Sequence, residues 1–136
     1  MTAAKTQTLR NADMDANLLF RLARYEETNA DDAFAKNDYS GSKALYQILE
    51  KIYTLCPQSA SDKVGVAKMQ QFLAALKKEV EQAGAASADA WLAEYAAEIE
   101  NQATAFLAKK DLENAAGAYI RAAFLYETLK ETAAAK

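Results

Sequence analysis

The sequence predicts an all-α fold of about five antiparallel helices: two helical hairpins joined by a spacer helix, arranged as a compact bundle or a short solenoid. Three observations carry that expectation. Proline occurs only at Pro57 and glycine only at Gly41, Gly65, Gly84 and Gly117, while alanine, leucine, glutamate, lysine and glutamine dominate the rest; that inventory favours helix. No segment shows the alternating β-branched and aromatic pattern of a strand. The stretch AKNDYSGSKALYQILEKIY, residues 35–53, returns as AKKDLENAAGAYIRAAFLY, residues 108–126.

The first helix is expected from about Asp13 to Lys36, with Leu18, Leu19, Leu22, Tyr25, Ala30, Ala33 and Phe34 on one broad face. Thr28 and Asn29, poor helix formers, are its weak point. Asp38 is placed to cap the second helix, its carboxylate accepting from first-turn amides, and Tyr39, Ser42, Tyr46, Leu49, Tyr53 and Cys56 form the buried stripe. Cys56-Pro57 ends it, because proline disfavours a helical backbone at the preceding residue. The turn QSAS and a cap at Ser61 open the third helix, which runs to about Ala83 before Gly84 stops it. Within it Val66, Met69, Leu73, Leu76 and Val80 alternate spacings of three and four, the seam of helix-on-helix packing. Ser87 is the expected cap of the fourth helix, with Trp91, Leu92, Tyr95, Ile99, Ala103 and Phe106 on its apolar stripe. Asp111 caps the fifth, where Leu112, Ala115, Tyr119, Ala122, Tyr126 and Leu129 line one side and Ile120 and Phe124 widen the arc. The organisation is one domain, 1–136, with hairpins over 13–56 and 87–132, a spacer helix over 61–83 and a flexible start over 1–12.

Residues 15–53 overlay residues 88–126 without a gap. Identities fall at Leu19/Leu92, Ala23/Ala96, Glu27/Glu100, Ala30/Ala103, Ala35/Ala108, Lys36/Lys109, Asp38/Asp111, Tyr46/Tyr119 and Tyr53/Tyr126. The shared cap aspartate and the two tyrosines in phase identify two hairpins related by duplication or by a common packing demand. The second hairpin, reading Ala103, Phe106, Asp111, Leu112, Ala115, Tyr119 and Ala122, resembles a tetratricopeptide repeat, with small residues at the helix crossing and an aromatic between the helices. The first keeps Ala30, Asp38, Tyr39, Ser42 and Tyr46 in the same places, but has Ala33 where the family prefers a large residue and Leu49 where it prefers a small one. Both hairpins are longer than the family's 34-residue unit, and no proline follows Tyr126. The turn is also similar to that of the helical MIT module of trafficking proteins.

Composition narrows the function. At 136 residues, 51% apolar and 26% charged, the chain is long enough to bury about two thirds of its unfolded surface, and no apolar run approaches the length of a membrane span. Neither membrane nor nucleic-acid binding is expected, because a net charge of −3 with both signs interspersed is no basic footprint. The N-terminus has no apolar signal-peptide core, so a cytoplasmic location is the default. A single cysteine, Cys56, allows no internal disulfide and reads as a small apolar residue near a helix end.

The chain has no histidine, which removes the commonest general base, the triads built on it and most zinc sites. Neither GxxxxGK[ST] nor GxGxxG occurs. The carboxylate pairs Glu27 with Asp31 and Glu94 with Glu98 share helix faces and read as solvated acidic surface rather than a metal site, since a di-iron bundle needs Glu-x-x-His partners. The tyrosines read as core with outward hydroxyls. No cofactor, metal or catalytic residue is expected.

The repeat resemblance implies that the first helix of each hairpin lines the inner face, exposing Glu27, Asp31, Glu100 and Thr104 as the partner-binding positions. That lining is acidic, so charge complementarity implies a basic or amphipathic segment of another protein as partner. The sequence thus points to a non-enzymatic adaptor, scaffold or chaperone-like module. Its rivals are a bundle that self-assembles as a homo-oligomer and an enzyme that uses carboxylates or tyrosine.

Overall fold

The computed structural model describes residues 17–56, 61–84 and 89–134. Among them are five α-helices and no strand: α1 (Leu18–Ala35), α2 (Tyr39–Leu55), α3 (Asp62–Gln82), α4 (Ala90–Ala108) and α5 (Leu112–Ala134). The expected all-α class and helix count are observed. The chain divides into two compact units, Met1–Lys68 and Met69–Lys136, with the division inside α3. The first contains α1 packed on α2; the second contains α4 packed on α5 together with the C-terminal part of α3. The expected flexible start over 1–12, the onset at Asp13, Pro57 and the Ser87 cap all lie outside the described residues.

In the first unit α1 begins at Leu18 behind Asn17, whose backbone is extended (φ −77°, ψ 123°) and whose side chain accepts from the Phe20 amide at 3.1 Å. The same side chain donates through Nδ2 to the Cys56 carbonyl at 3.0 Å. One asparagine therefore satisfies an orphan amide at the start of α1 and a carbonyl at the end of α2, closing the open end of the hairpin. Thr28 and Asn29 do not interrupt α1. The Thr28 hydroxyl donates back to the Arg24 carbonyl at 3.4 Å, and Asn29 donates to Glu26 at 3.2 Å.

The turns of the two hairpins are the same structure 73 positions apart (38 to 111). In the first, the Asp38 amide donates to the Ala33 carbonyl (2.8 Å) and the Asn37 amide to that of Phe34 (3.0 Å). In the second, the Asp111 amide donates to Phe106 (3.0 Å) and the Lys110 amide to Leu107 (2.9 Å). Both are Schellman closures, which require a left-handed residue at the pivot; Asn37 (φ 66°) and Lys110 (φ 62°) occupy it. Asp38 then accepts from the Gly41 amide at 3.0 Å and Asp111 from the Asn114 amide at 3.3 Å, as the sequence predicts for these caps.

Small residues set the helix crossings. Ala23 and Ala30 of α1, and their counterparts Ala96 and Ala103 of α4, are all 0% exposed. On the helices packed against them, α2 and α5, the small residues Ser42 and Ala115 are also buried. Ser42 directs its hydroxyl back to the Tyr39 carbonyl at 3.1 Å, so it presents almost no bulk and no orphan donor. The cores then fill with Leu19, Phe20, Ile48, Leu49, Ile52 and Tyr53 in the first unit and Tyr119, Ile120, Tyr126 and Leu129 in the second. Phe20 and Tyr53 meet edge to face at 5.8 Å.

In α3, Ser61 caps through its hydroxyl on the Val64 amide (3.3 Å), and Gly84 adopts the left-handed conformation (φ 65°) past the C-terminus. The seam Val66, Met69, Leu73, Leu76 and Val80 is buried throughout, as expected. Lys130 of α5 ties α3 to the second hairpin through Glu79 at 2.9 Å and contacts the nearly buried Glu127 of its own helix at 3.5 Å.

Several expected core positions lie outside. Tyr25, Phe34 and Tyr39 of the first hairpin are exposed, and so are Trp91 and Tyr95 of α4. The cap of α4 is Asp89, which accepts from the Leu92 amide at 3.1 Å. For Tyr25, Trp91 and Tyr95 the reason is phase, Trp91 lying about 120–140° around the helix from Ala96 and Ala103; Phe34 and Tyr39 stand instead in the last turn of α1 and the first of α2, beside the hairpin turn.

Two outcomes follow from these contacts. Lys110→Gly should raise stability by about 1 kcal/mol, because glycine relieves the left-handed penalty. Asn37→Gly should gain less, because asparagine tolerates that region and Tyr39 loses its 2.8 Å bond to the Asn37 side chain. Urea melts of both variants check this, and a destabilised Lys110→Gly would contradict the Schellman assignment. Ala30→Leu and Ala103→Leu should each cost about 1–3 kcal/mol through overpacking at the crossing, read as lowered melting temperatures.

Candidate functional site

α4 has two polar edges flanking its buried seam, and they are used differently. One carries Glu100 and Thr104, and the other carries Glu94 and Glu98 with Trp91 and Tyr95. The corresponding first edge on α1 carries Glu27 and Asp31.

The first kind of edge serves the tyrosines. Tyr46 of α2 and Tyr119 and Tyr126 of α5 bring their hydroxyls to polar groups on the first helix of their own hairpin. There each needs a hydrogen-bond partner. In the second unit the Tyr126 hydroxyl donates to Glu100 Oε1 at 3.2 Å, and Lys77 of α3 reaches the same oxygen at 3.1 Å. Tyr119 accepts from Gln70 Nε2 at 3.2 Å and lies 3.3 Å from Thr104 Oγ1. Proton counting orients that last contact. Thr104 uses its single proton on the Glu100 carbonyl (3.1 Å), so Tyr119 donates to Thr104. Gln70, Lys77, Glu100, Thr104, Tyr119 and Tyr126 therefore form one polar network joining α3, α4 and α5.

The first unit repeats the register. Tyr46 donates to Asp31 in a short hydrogen bond, the counterpart of Tyr119 with Thr104. Glu27 acts electrostatically on Tyr53 as Glu100 does on Tyr126. The hydrogen bond to Asp31 pushes the Tyr46 hydroxyl up to about 12. Burial, followed by the charge of Glu27, raises Tyr53 well above its ordinary value; burial and Glu100 do the same to Tyr126. Of the four positions expected from the sequence to receive a partner, Asp31, Glu100 and Thr104 are hydrogen-bonded to the hairpins' own tyrosines, and the charge of Glu27 acts on Tyr53.

The other edge of α4 has no such duty. Trp91 is 69% exposed and Tyr95 42%, their rings edge to face at right angles with centroids 5.6 Å apart. With Glu94 and Glu98 they line an open hollow of about 320 Å³. Spacings of three and four place all four side chains on one strip of the helix. Neither carboxylate has a hydrogen bond or ion pair among the described residues. This strip combines apolar ring surface with a double negative charge, chemistry suited to a cation on an apolar stem. From the sequence Glu94 and Glu98 form a pair on one helix face, and the expected core positions Trp91 and Tyr95 stand exposed beside them. The signal that separates strip from core is the alanine pair at 96 and 103, repeated from 23 and 30, which fixes the phase of the buried seam.

The rest of the surface offers little chemistry. Cys56 is buried, donates to the Ile52 carbonyl at 3.4 Å, and is pushed by burial up to about 12, far from thiolate reactivity. Among the described residues no group of three or more cysteines, aspartates or glutamates is placed to hold a metal ion, and no helix is long and apolar enough to cross a membrane. Fold and site together define an all-α protein of two similarly built helical hairpins with an aromatic and acidic outer strip on α4. No family model matches the chain, and no characterised protein or solved structure matches it either.

The tyrosine pairs make stability sensitive to alkali. A hydroxyl whose folded pKa is raised contributes stability that is complete below the unfolded value near 10 and declines as pH rises through and beyond it. Unfolding free energy should therefore fall above about pH 10, and Tyr46→Phe, Tyr53→Phe and Tyr126→Phe should each flatten that fall in urea melts taken across the range. An unchanged slope in all three would refute the assignment. Cys56 should react with a maleimide only as fast as the first unit opens, accelerating with urea.

Proposed function

We propose that the protein is a non-enzymatic helical interaction module, an adaptor, scaffold or chaperone-like binder, that takes a basic or amphipathic segment of a partner protein. The observation that carries this reading is the outer strip of α4, where two large aromatic side chains stand in solvent beside two carboxylates that have no hydrogen bond or ion pair among the described residues. Aromatic side chains supply much of the energy of protein interfaces, and they do so where they stand ready on a preformed surface. A rigid helix is such a surface. The acidic neighbours favour partners of positive charge and repel acidic ones.

Glu27, Asp31, Glu100 and Thr104 enter this reading as supports. By holding the tyrosines they fix the crossing of each hairpin, and in the second unit they fix which strip of α4 faces outward. A lysine at Glu100 would disturb the fold before it disturbed a ligand. A self-assembling bundle is the second reading. It is favoured by the exposed Phe34 and Tyr39, which stack edge to face at 5.4 Å beside the first turn.

Affinity capture from the native source, followed by mass spectrometry, tests the proposal. The wild-type chain should retain a partner whose contacting segment is basic, and Trp91→Ala with Glu94→Lys should lose it by at least about tenfold, the scale of an aromatic hot spot. The variant should unfold within about 0.5 kcal/mol of wild type, because these side chains are outside the core. Capture of the bait alone, with sedimentation showing a dimer, would replace the module with self-assembly.

A further inference from the structure

Building on that reading, we infer that the hollow on α4 is a receptor for one arginine side chain of the partner, its guanidinium seated against the Trp91 and Tyr95 rings and held by Glu94 and Glu98. Four observations converge on it. The volume, about 320 Å³, is at the lower end of ligand-sized sites and suits a single long side chain rather than a folded segment. The two rings stand at 90° to each other, which gives the hollow an aromatic corner. Glu94 and Glu98 are one turn apart, a like-charge spacing that disfavours the helix unless a cation comes between them, and none does among the described residues. The chain already uses this chemistry elsewhere: the Arg24 guanidinium lies 5.7 Å from the centre of the Phe20 ring.

Arginine fits better than lysine for reasons of shape. Its planar, weakly hydrated guanidinium can lie on an indole face while its fork of N–H groups reaches carboxylates at the rim, whereas an ammonium is a compact and strongly hydrated point charge. Its three-carbon stem covers the remaining apolar surface.

Trp91 is the only tryptophan, so its fluorescence reports the site directly. The full chain titrated with hexa-arginine should show a saturable change in Trp91 emission. Hexa-citrulline, which keeps the shape without the charge, should give none, and hexa-lysine should bind about tenfold more weakly. Glu94→Gln with Glu98→Gln should reduce hexa-arginine binding at least tenfold with the melting temperature unchanged. Equal responses to hexa-lysine and hexa-arginine would overturn the arginine assignment. Calorimetric binding of hexa-arginine that leaves Trp91 emission and the double variant unaffected would overturn the site while leaving the module reading intact. A dimer that dissociates on Trp91→Ala would overturn it in favour of a second copy of the chain as occupant. Failure of the module reading looks different again: wild type and the Trp91 variant would capture the same proteins from the native source.

Discussion

The close approach of paired helices over alanine is the constraint from which the other features descend. Ala23 and Ala30, with Ala96 and Ala103 as their counterparts, remove side-chain bulk at the crossing, and Ser42 and Ala115 do so from the opposite helix. A helix pair brought this near has no room for leucine at the contact. It has room beside the contact for long flat side chains that bridge the gap, and tyrosine is the residue that can cross it and still end in a polar group. The first helix of each hairpin supplies polar partners to three tyrosines of the second, Asp31 to Tyr46, Thr104 to Tyr119 and Glu100 to Tyr126, and at the buried Tyr119 and Tyr126 an unpaired hydroxyl would cost about 1–3 kcal/mol.

That pairing underlies a pattern that otherwise resembles a binding face. Glu100 accepts from Tyr126, and Glu27 stands at the equivalent position with its charge acting on Tyr53. Asp31 and Thr104 differ in charge yet do the same work, since a carboxylate and a threonine hydroxyl can each accept from tyrosine. The second unit goes further by bringing α3 into the network, where Lys77 offsets the charge of Glu100 and Gln70 donates to Tyr119. Polarity on the inner edges of these helices is therefore a consequence of packing.

The turns and caps were legible in the sequence because their chemistry is local. Asp38, Asp111, Ser61 and Gly84 act within one turn of backbone, and each does what its residue type and position predict. The α3 seam was legible because it repeats one period over many residues. Helix phase in α1 and α4 was not, because a stripe of large apolar residues predicts one buried side and the buried alanines define another. Along most of these helices the buried side is marked by alanines, and Tyr25, Trp91 and Tyr95 lie off it, while Phe34 shares the alanine phase but stands exposed in the last turn of α1. The same mismatch hid the candidate site: with Trp91 and Tyr95 assigned to the core, Glu94 and Glu98 read as ordinary solvated charge. Asn17 was invisible for another reason. Its bond to the Cys56 carbonyl links residues far apart in sequence, and no local pattern announces it.

What separates the outer strip of α4 from the rest of the second unit is that the fold does not need it. Replace Glu100, and Tyr126 and Lys77 lose their acceptor; replace Ala103, and the crossing opens. Trp91 and Tyr95 bear mainly on each other and on water. Water-facing tryptophan offers a helix no propensity advantage over alanine and exposes apolar surface that favours unwanted association. The adjacent carboxylates keep that surface soluble, yet they repel each other across one turn. Each of these small costs is removed by one event, the arrival of a planar cation on an apolar stem. That these local disadvantages would share a single remedy is the physical ground on which the arginine receptor is proposed.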